Sequence, residues 1–321
     1  MNVGLYLDLR NPPEWRQDPA RLYAFTLEVC EEAERLGIDS IWVTEHHLFE
    51  DGYLPQPLTF AAAIAARTRR VRIGTAVMLA PLHHPVEIAE QAAVVDIISS
   101  GRLDLGLGAG YRVPEFELMG SDMSHRYSAT DNCVRQLREL WSGGGVTPGP
   151  VQSHIPIWLG YAGPQGARRA GLLGEGLLSI DPSLLEPYRA GLIDGGHDPS
   201  TARTAGGFSA WLSHDPERDR ATVGRHIAYQ LDSYRRYMVE GTDTPSPRPV
   251  DIDRVLSDSG RRLASFTLGT PEAVAAKVQE RVADGPVDTV FFWGSVAGMP
   301  ETMVTDHLTL LCQDLAPRLR G

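Results

Sequence analysis

An acid and two imidazoles stand together at Glu45-His46-His47, directly after the run Ser40-Ile41-Trp42-Val43-Thr44. Histidine is the side chain whose ordinary pKa lies nearest neutrality, so it is the first candidate for moving protons. The run before it reads as a buried parallel strand, apolar on both faces. The carboxyl ends of such strands are where α/β proteins place their sites. Side chains alternate along a strand, so Trp42, Thr44 and His46 share one face and Ile41, Val43, Glu45 and His47 the other. Only one of the two histidines can then enter the cavity that Thr44 faces, and His46 is the candidate acid or base. Its ring would face open space, so its removal should cost little packing. Neighbouring histidines on a strand diverge, and His46, His47, His83 and His84 show no His-x-His or His-x₃-His spacing, so no metal is expected.

Two other stretches could hold a ligand. Gly106, Gly108 and Gly110 alternate through Leu105–Tyr111, and glycine weakens a strand unless something requires it. Either a flat or phosphorylated ligand approaches bare backbone there, or the barrel packs too closely for side chains. The spacing is not a dinucleotide fingerprint, and it follows the fourth strand rather than the first. In Gly160-Tyr-Ala-Gly-Pro164, Gly163 reads as a helix cap with Pro164 at the first helical position. The free amides of Gly163, Gln165 and Gly166 would then form an anion site. An ordinary turn would look much the same.

The elements that must position these residues repeat. Strands are expected at Asn2–Leu9, Ser40–Glu45, Val71–Leu79, Leu103–Leu107, Pro156–Leu159, Gly176–Ile180, Gly207–Leu212 and Asp288–Trp293. Helical periodicity lies between them, as at Arg21–Leu36, Pro85–Ser99, Tyr127–Trp141 and Pro216–Val239. Eight strands alternating with helices predict a parallel sheet closed into a (β/α)₈ TIM barrel spanning 1–321 as one domain. An open doubly wound sheet is the competitor. Gly241–Ser265, polar and with three prolines, is expected to be a mobile loop inserted before the last strand. Pro85–Ser99 is apolar nearly all round, which suggests a subunit contact and a homodimer.

Composition narrows the partners. A net charge of −11 argues against nucleic acid or an anionic membrane as partner. No apolar run approaches a membrane span. No basic leader precedes the first strand. Three widely spaced cysteines read as reduced core thiols in a cytoplasmic protein.

The ordered set Thr44-Glu-His-His47, Gly52, Gly74-Thr-Ala76, His84-Pro-Val86, Glu90, Gly101-Arg102 and Gly269-Thr-Pro-Glu272 resembles the bacterial luciferase-like flavin monooxygenases over nearly the whole chain. The resemblance implies a barrel that binds reduced FMN at its C-terminal mouth. It implies reaction with O₂ and a small-molecule substrate, and a separate flavin reductase. His46 matches a base or proton donor near the flavin. Ala76-Val77 matches a non-proline cis peptide behind the flavin ring. Gly108, Ala109, Gly110 and Tyr111 fall along the ribityl phosphate, and Ala162 and Gln165, with Tyr161, at the phosphate. Glu115 matches an acidic residue near the flavin. The family's α-subunit pattern has arginine at the position of Ala109, so phosphate anchoring passes to backbone amides or to Arg112 or Arg168. Relatives that use the deazaflavin coenzyme F-420 for hydride transfer give one alternative, and a non-catalytic flavin-binding subunit gives another.

Overall fold

Short β-branched and aromatic runs, each followed by a longer amphipathic stretch, fold here as parallel strands with covering helices. The computed structural model describes residues 1–256, 266–283 and 285–320. Its strands are β1 (Asn2–Leu7), β2 (Ser40–Val43), β3 (Arg72–Thr75), β4 (Met78–Leu79), β5 (Leu103–Gly108), β6 (Ile157–Leu159), β7 (Gly176–Leu177), β8 (Thr204–Phe208), β9 (Ala210–Leu212), β10 (Thr267–Gly269) and β11 (Val287–Trp293). The main sheet runs β3-β2-β1-β11-β8-β7-β6-β5-β4, and β3 also pairs with β5, which closes it. β3 and β4 are two pieces of one position, separated by the cis peptide Ala76–Val77. Nine stretches therefore make a closed barrel of eight parallel positions, the (β/α)₈ fold expected.

Strand alternation sets what each face meets. On β2, Ile41 and Val43 join the large core between barrel and helices. Trp42 points into the barrel, edge-on to Trp158 (6.3 Å) and stacked on Phe291 (5.2 Å). Parts of the barrel wall pack backbone against backbone. A Cβ on Gly106 would collide with the Thr75 carbonyl, and one on Gly108 with the Val77 side chain. Close barrel packing therefore accounts for these two glycines.

The helices among the described residues are α1 (Pro19–Arg35), α2 (Pro57–Arg67), α3 (Pro85–Ser99), α4 (Val113–Met119), α5 (Arg126–Ser142), α6 (Gly163–Leu172), α7 (Leu185–Asp194), α8 (Pro216–Val239), α9 (Ile252–Leu256), α10 (Pro271–Val282), α11 (Glu301–Thr309) and α12 (Ala316–Arg320). α8 has the expected bounds: Asp215 accepts from Arg218 N, and Glu217 and Asp219 fill the positive first turn. α3 buries Ile88, Ala89, Ala92, Ala93 and Val95, while Val94, Ile97 and Ile98 stay 45, 38 and 43% exposed. Among the described residues no helix is long and apolar enough to cross a membrane.

Besides the division of the expected strand Val71–Leu79 into β3 and β4, three elements differ from the sequence reading. α4 was not foreseen, because it is one short helix after a glycine-rich strand end. The expected strand Gly207–Leu212 divides: Thr204–Phe208 stays in the barrel, and Ala210–Leu212 leaves it to pair with Thr267–Gly269. Periodicity cannot see such a division, because both halves are extended. In the expected loop Gly241–Ser265, α9 is helical and buries Val255; 257–265 lies outside the described residues.

His307 of α11 ties β9 to β11. Its ring stacks on Trp211 (4.0 Å, 11°). Leu212 N–H donates to Nδ1 (2.9 Å), so the ring hydrogen is on Nε2 and is donated to the Trp293 carbonyl (2.8 Å). Burial outweighs both backbone bonds and pushes the pKa down from 6.5 to about 4. The unfolded chain therefore takes up this proton before the native one does. The stability contributed by neutral His307 is complete above pH 6.5 and is lost as pH falls toward 4. At 1.36 kcal/mol per unit the loss is roughly 3 kcal/mol. The check is the difference in urea unfolding free energy between the parent and His307→Gln from pH 7 to pH 4. That difference should shrink on acidification, and a pH-independent difference overturns the assignment.

Candidate active site

The carboxyl ends of the strands surround a cavity of about 780 Å³. Tyr6 of β1, the segment after β2, Ala76-Val77 after β3, Gly108–Tyr111 after β5 and Trp293 of β11 all line it. Most strand-end residues singled out in the sequence are here: His46, Ala76, Val77, Gly108, Ala109, Gly110, Tyr111 and Ala162; Tyr161 is not, its buried hydroxyl donating to Asp131 (2.6 Å) instead. Gly163, Gln165 and Gly166 lie just beyond the lining, at the start of α6. The α6 cap is Ala162 rather than Gly163, and no side chain caps its first-turn amides. Gly163 has φ +71° and makes the turn into the helix.

His46 enters the cavity and His47 does not, as strand alternation predicts. The expectation of a lightly packed ring is corrected, because His46 is only 6% exposed. It stacks on Phe49 (4.7 Å) and meets Tyr53 edge-on (4.8 Å). Its Nδ1 lies 2.8 Å from Glu115 Oε1, and its Nε2 lies 3.1 Å from the Tyr111 hydroxyl. The His47 backbone N–H donates to the same Glu115 oxygen (2.8 Å). A carboxylate in that position fixes the ring hydrogen on Nδ1 and leaves Nε2 as the basic nitrogen. Tyr111 thus serves the imidazole, where the sequence placed it along a phosphate. Burial pushes its phenol up, which keeps the hydroxyl protonated.

His47 lies outside the cavity lining and, with His83, meets Glu45, which is itself part of that lining. His47 Nε2 (2.8 Å) and His83 Nε2 (2.6 Å) both approach Glu45 Oε1, and Leu79 N–H donates to Oε2 (2.6 Å). Burial raises the Glu45 pKa, but the hydrogen bonds from His47 and His83 outweigh it and hold the carboxyl below the usual range. Sequence spacing gave no reason to expect a metal, yet the fold gathers one ligand-type atom from each of these three residues within 4.8 Å of the others. Each of those atoms already engages another of the three in a hydrogen bond.

Sequence reasoning missed the polar floor. Arg10 and Asp51 form an ion pair with both side chains fully buried (2.6 Å), and Arg10 also donates to Ser233. Burial pushes the nearby Asp8 up to about 7, against the pull of Arg10. The Arg10 guanidinium packs on the rings of Tyr53 (5.5 Å) and Tyr234 (5.2 Å). Tyr53 in turn joins Thr44 (2.6 Å) and Tyr234 (2.7 Å) through hydroxyl hydrogen bonds. Tyr234 comes from α8, whose Ile227, Gln230, Leu231, Tyr234, Arg235 and Met238 line the cavity. Their helical spacing was the one available signal.

The two arginines proposed for a phosphate are otherwise engaged. Arg112 is buried, paired with Glu240 (2.5 Å) and donating to the His47 carbonyl (2.6 Å). Arg168 pairs with Asp194 at the surface. Arg126 is better placed: it packs over Tyr127, a cavity-lining ring (4.6 Å), donates to the Met123 carbonyl (3.1 Å), and its buried Nε has no hydrogen-bond partner among the described residues. Tyr127 also meets Tyr161 (5.7 Å), just before the uncapped amides of α6.

A family profile described as luciferase-like monooxygenase matches residues 1–289. The oxygenase component of the flavin-dependent trigonelline monooxygenase of Acinetobacter baylyi is 33% identical over 180 residues, covering 51% of this chain and 50% of that protein. The F420-dependent glucose-6-phosphate dehydrogenase of Amycolatopsis mediterranei is 30% identical over 183 residues, covering 50% and 55%. The chain therefore spans about half the length of these two curated relatives. The crystal structure of monooxygenase RslO1 from Streptomyces bottropensis superposes with a TM-score of 0.82 at 25% identity, covering 99% of both chains.

Proposed function

The chain belongs to the luciferase-like monooxygenase family, and from that premise we propose that it uses reduced FMN and O₂ to oxygenate a small organic substrate. The observation that carries the reading is the Glu115–His46–Tyr111 chain, which opens on a mostly apolar, aromatic-walled cavity at the barrel mouth. A flavin fits the residues present. The cavity is large and mostly apolar, while an unpartnered buried Arg126 Nε and the uncapped first turn of α6 stand at its Tyr127–Ala162 end for a phosphate. When bound, reduced FMN would supply the activation of oxygen.

The protein's own residues would do the rest. Glu115 orients the imidazole through Nδ1 and steadies it when it is protonated. His46 takes or gives a proton at Nε2, with the Tyr111 hydroxyl as the relay to the cavity. Trp293, Phe266 and the tyrosines keep water out, so that peroxide is not released unused. Reduced flavin would come from a separate reductase, in keeping with a relative named as an oxygenase component.

A deazaflavin-dependent hydride transferase is the second reading, favoured by the F420-dependent relative. Its longer anionic tail needs free cations near Tyr111 and Gln165, and Arg112 is already committed to Glu240. A non-catalytic flavin-binding subunit would have no use for the His46 chain. Titration with FMN and with coenzyme F-420, followed by single-turnover oxidation in air, separates these. The expected result is tight binding of reduced FMN and oxygen-dependent product. Binding of F-420 alone overturns the FMN assignment.

We also propose a homodimer formed through the exposed Val94, Ile97 and Ile98 face of α3. Ile97→Glu with Ile98→Glu should halve the mass seen by sedimentation velocity at micromolar concentration. A parent that sediments as a monomer removes the proposal.

A further inference from the structure

Resting on the monooxygenase reading for where reaction occurs, we propose that Thr44, Tyr53 and Tyr234 grip an acceptor oxygen borne by an aromatic substrate, such as the carbonyl of an aryl ketone or quinone. Two hydroxyls come from the connection after β2 and the third from α8, and they meet in one line, Thr44 Oγ1 to Tyr53 at 2.6 Å and Tyr53 to Tyr234 at 2.7 Å. All three residues line the cavity. Each hydroxyl brings one hydrogen, and two bonds consume two of them. Whichever way the line is polarised, one of the three hydroxyls keeps a hydrogen, and the Tyr6 hydroxyl, which hydrogen-bonds with the same three side chains, adds a fourth donor to the cluster. A ligand oxygen entering the cavity can accept from this cluster, because a donor left unused in an apolar cavity is costly.

The donors persist at all working pH values. Burial pushes the phenols of Tyr53 and Tyr234 well above the ordinary value. The surrounding wall selects a flat partner: Tyr6 meets Trp293 edge-to-face at 4.4 Å, and both line the cavity. The grip also lies beside the proton-handling chain, since the His46 ring centre is 4.8 Å from that of Tyr53 and 6.2 Å from that of Tyr234. An oxygen held there brings the carbons next to it within reach of His46 and Tyr111. A site built to bond an oxygen discriminates strongly against the analogue that lacks it.

The test uses the full chain and two probes with one skeleton, 1-tetralone and tetralin, which lacks the oxygen. Affinities are read by calorimetry for the parent and for Tyr53→Phe, Tyr234→Phe and Thr44→Val. The parent should bind 1-tetralone about ten- to a hundredfold more tightly, the worth of one hydrogen bond at a buried donor. Each single substitution should reduce the preference, and the variant carrying Thr44→Val, Tyr53→Phe and Tyr234→Phe together should abolish it, with tetralin affinity unchanged. Unfolding midpoints identify any variant that fails to fold, and the remaining variants then decide. Equal affinities in the parent, no binding of either probe, or a preference that survives all three substitutions overturns the proposal. So does a lost preference accompanied by lost FMN binding, which would give these hydroxyls to the cofactor. If the parent prefers 1-tetralone but neither binds FMN nor turns over, the monooxygenase reading falls and the oxygen grip stands.

Discussion

His46→Asn should lower oxygenation by roughly 10²–10⁴-fold, the usual worth of a positioned acid or base, while leaving reduced-flavin binding nearly intact. Asparagine can still donate toward Glu115 Oε1, as Nδ1 of the imidazole can at 2.8 Å, but it has no titrating nitrogen at the place of Nε2. It is a better test than alanine. The His46 ring fills space between Phe49 and Tyr53, so truncation would also open a cavity and destabilise the fold. Peroxide per reduced flavin should rise as product falls. His47→Asn should behave differently, because it removes a partner of Glu45 away from the cavity; it should lower stability with a modest loss of turnover per folded molecule. Product and peroxide per reduced flavin, measured for both variants, decide the matter. Parental coupling in His46→Asn, or lost coupling only in His47→Asn, would reverse the assignment. Glu115→Gln is the companion experiment for a positioning residue: it should lower oxygenation with reduced-flavin binding unchanged, and Glu115→Asp should recover part of the loss, because a carboxylate there orients the imidazole through Nδ1.

Arg10→Met should lower the unfolding free energy by roughly 3–5 kcal/mol, the cost of removing one partner from a buried ion pair. The side chains of Arg10 and Asp51 are both 0% exposed, so no solvent screens what remains. The loss leaves Asp51 beside Asp8, which burial already raises to about 7 and which Arg10 pulls down. Ionising Asp8 is therefore costly in the native state, and the associated stability is lost as pH rises from about 4 toward 7. Without Arg10 that window should extend to higher pH. Adding Asp8→Asn to Arg10→Met should recover part of the loss, most clearly above pH 7. Urea unfolding at pH 5 and pH 8 with an unchanged denaturant slope provides the measurement. A single variant as stable as the parent would mean that the buried cluster is not a working ion pair.

Much of this molecule follows from short-range rules. The two-residue period of a strand places His46 inward and His47 outward, whatever the rest of the chain does. The alternation of strand-forming runs with helical periodicity points to a parallel closed sheet, and Asp215 with Pro216 fixes the start of α8. The apolar circumference of Pro85–Ser99 announces a helix with a face to spare. The motif order alone identifies the mouth at which a flavin is proposed to sit.

What the sequence leaves open is every pairing across the closed barrel. Glu115 reaches His46 over 69 residues, and Arg112 reaches Glu240 over 128. Glu45 gathers His47 and His83, and Tyr53 reaches Tyr234 over 181 residues. Apart from Glu45–His47, which share a strand face, each of these is a side-chain hydrogen bond whose partners share no periodicity, so no local pattern encodes it. They form only because strand closure and α8 bring the ends of distant elements around one mouth. There the exclusion of water makes each buried donor or acceptor seek a partner. The chain's local chemistry determines which groups can enter that space; its tertiary structure decides that Tyr111 faces the imidazole, that Arg112 is engaged elsewhere, and that three hydroxyls line up with one hydrogen to spare.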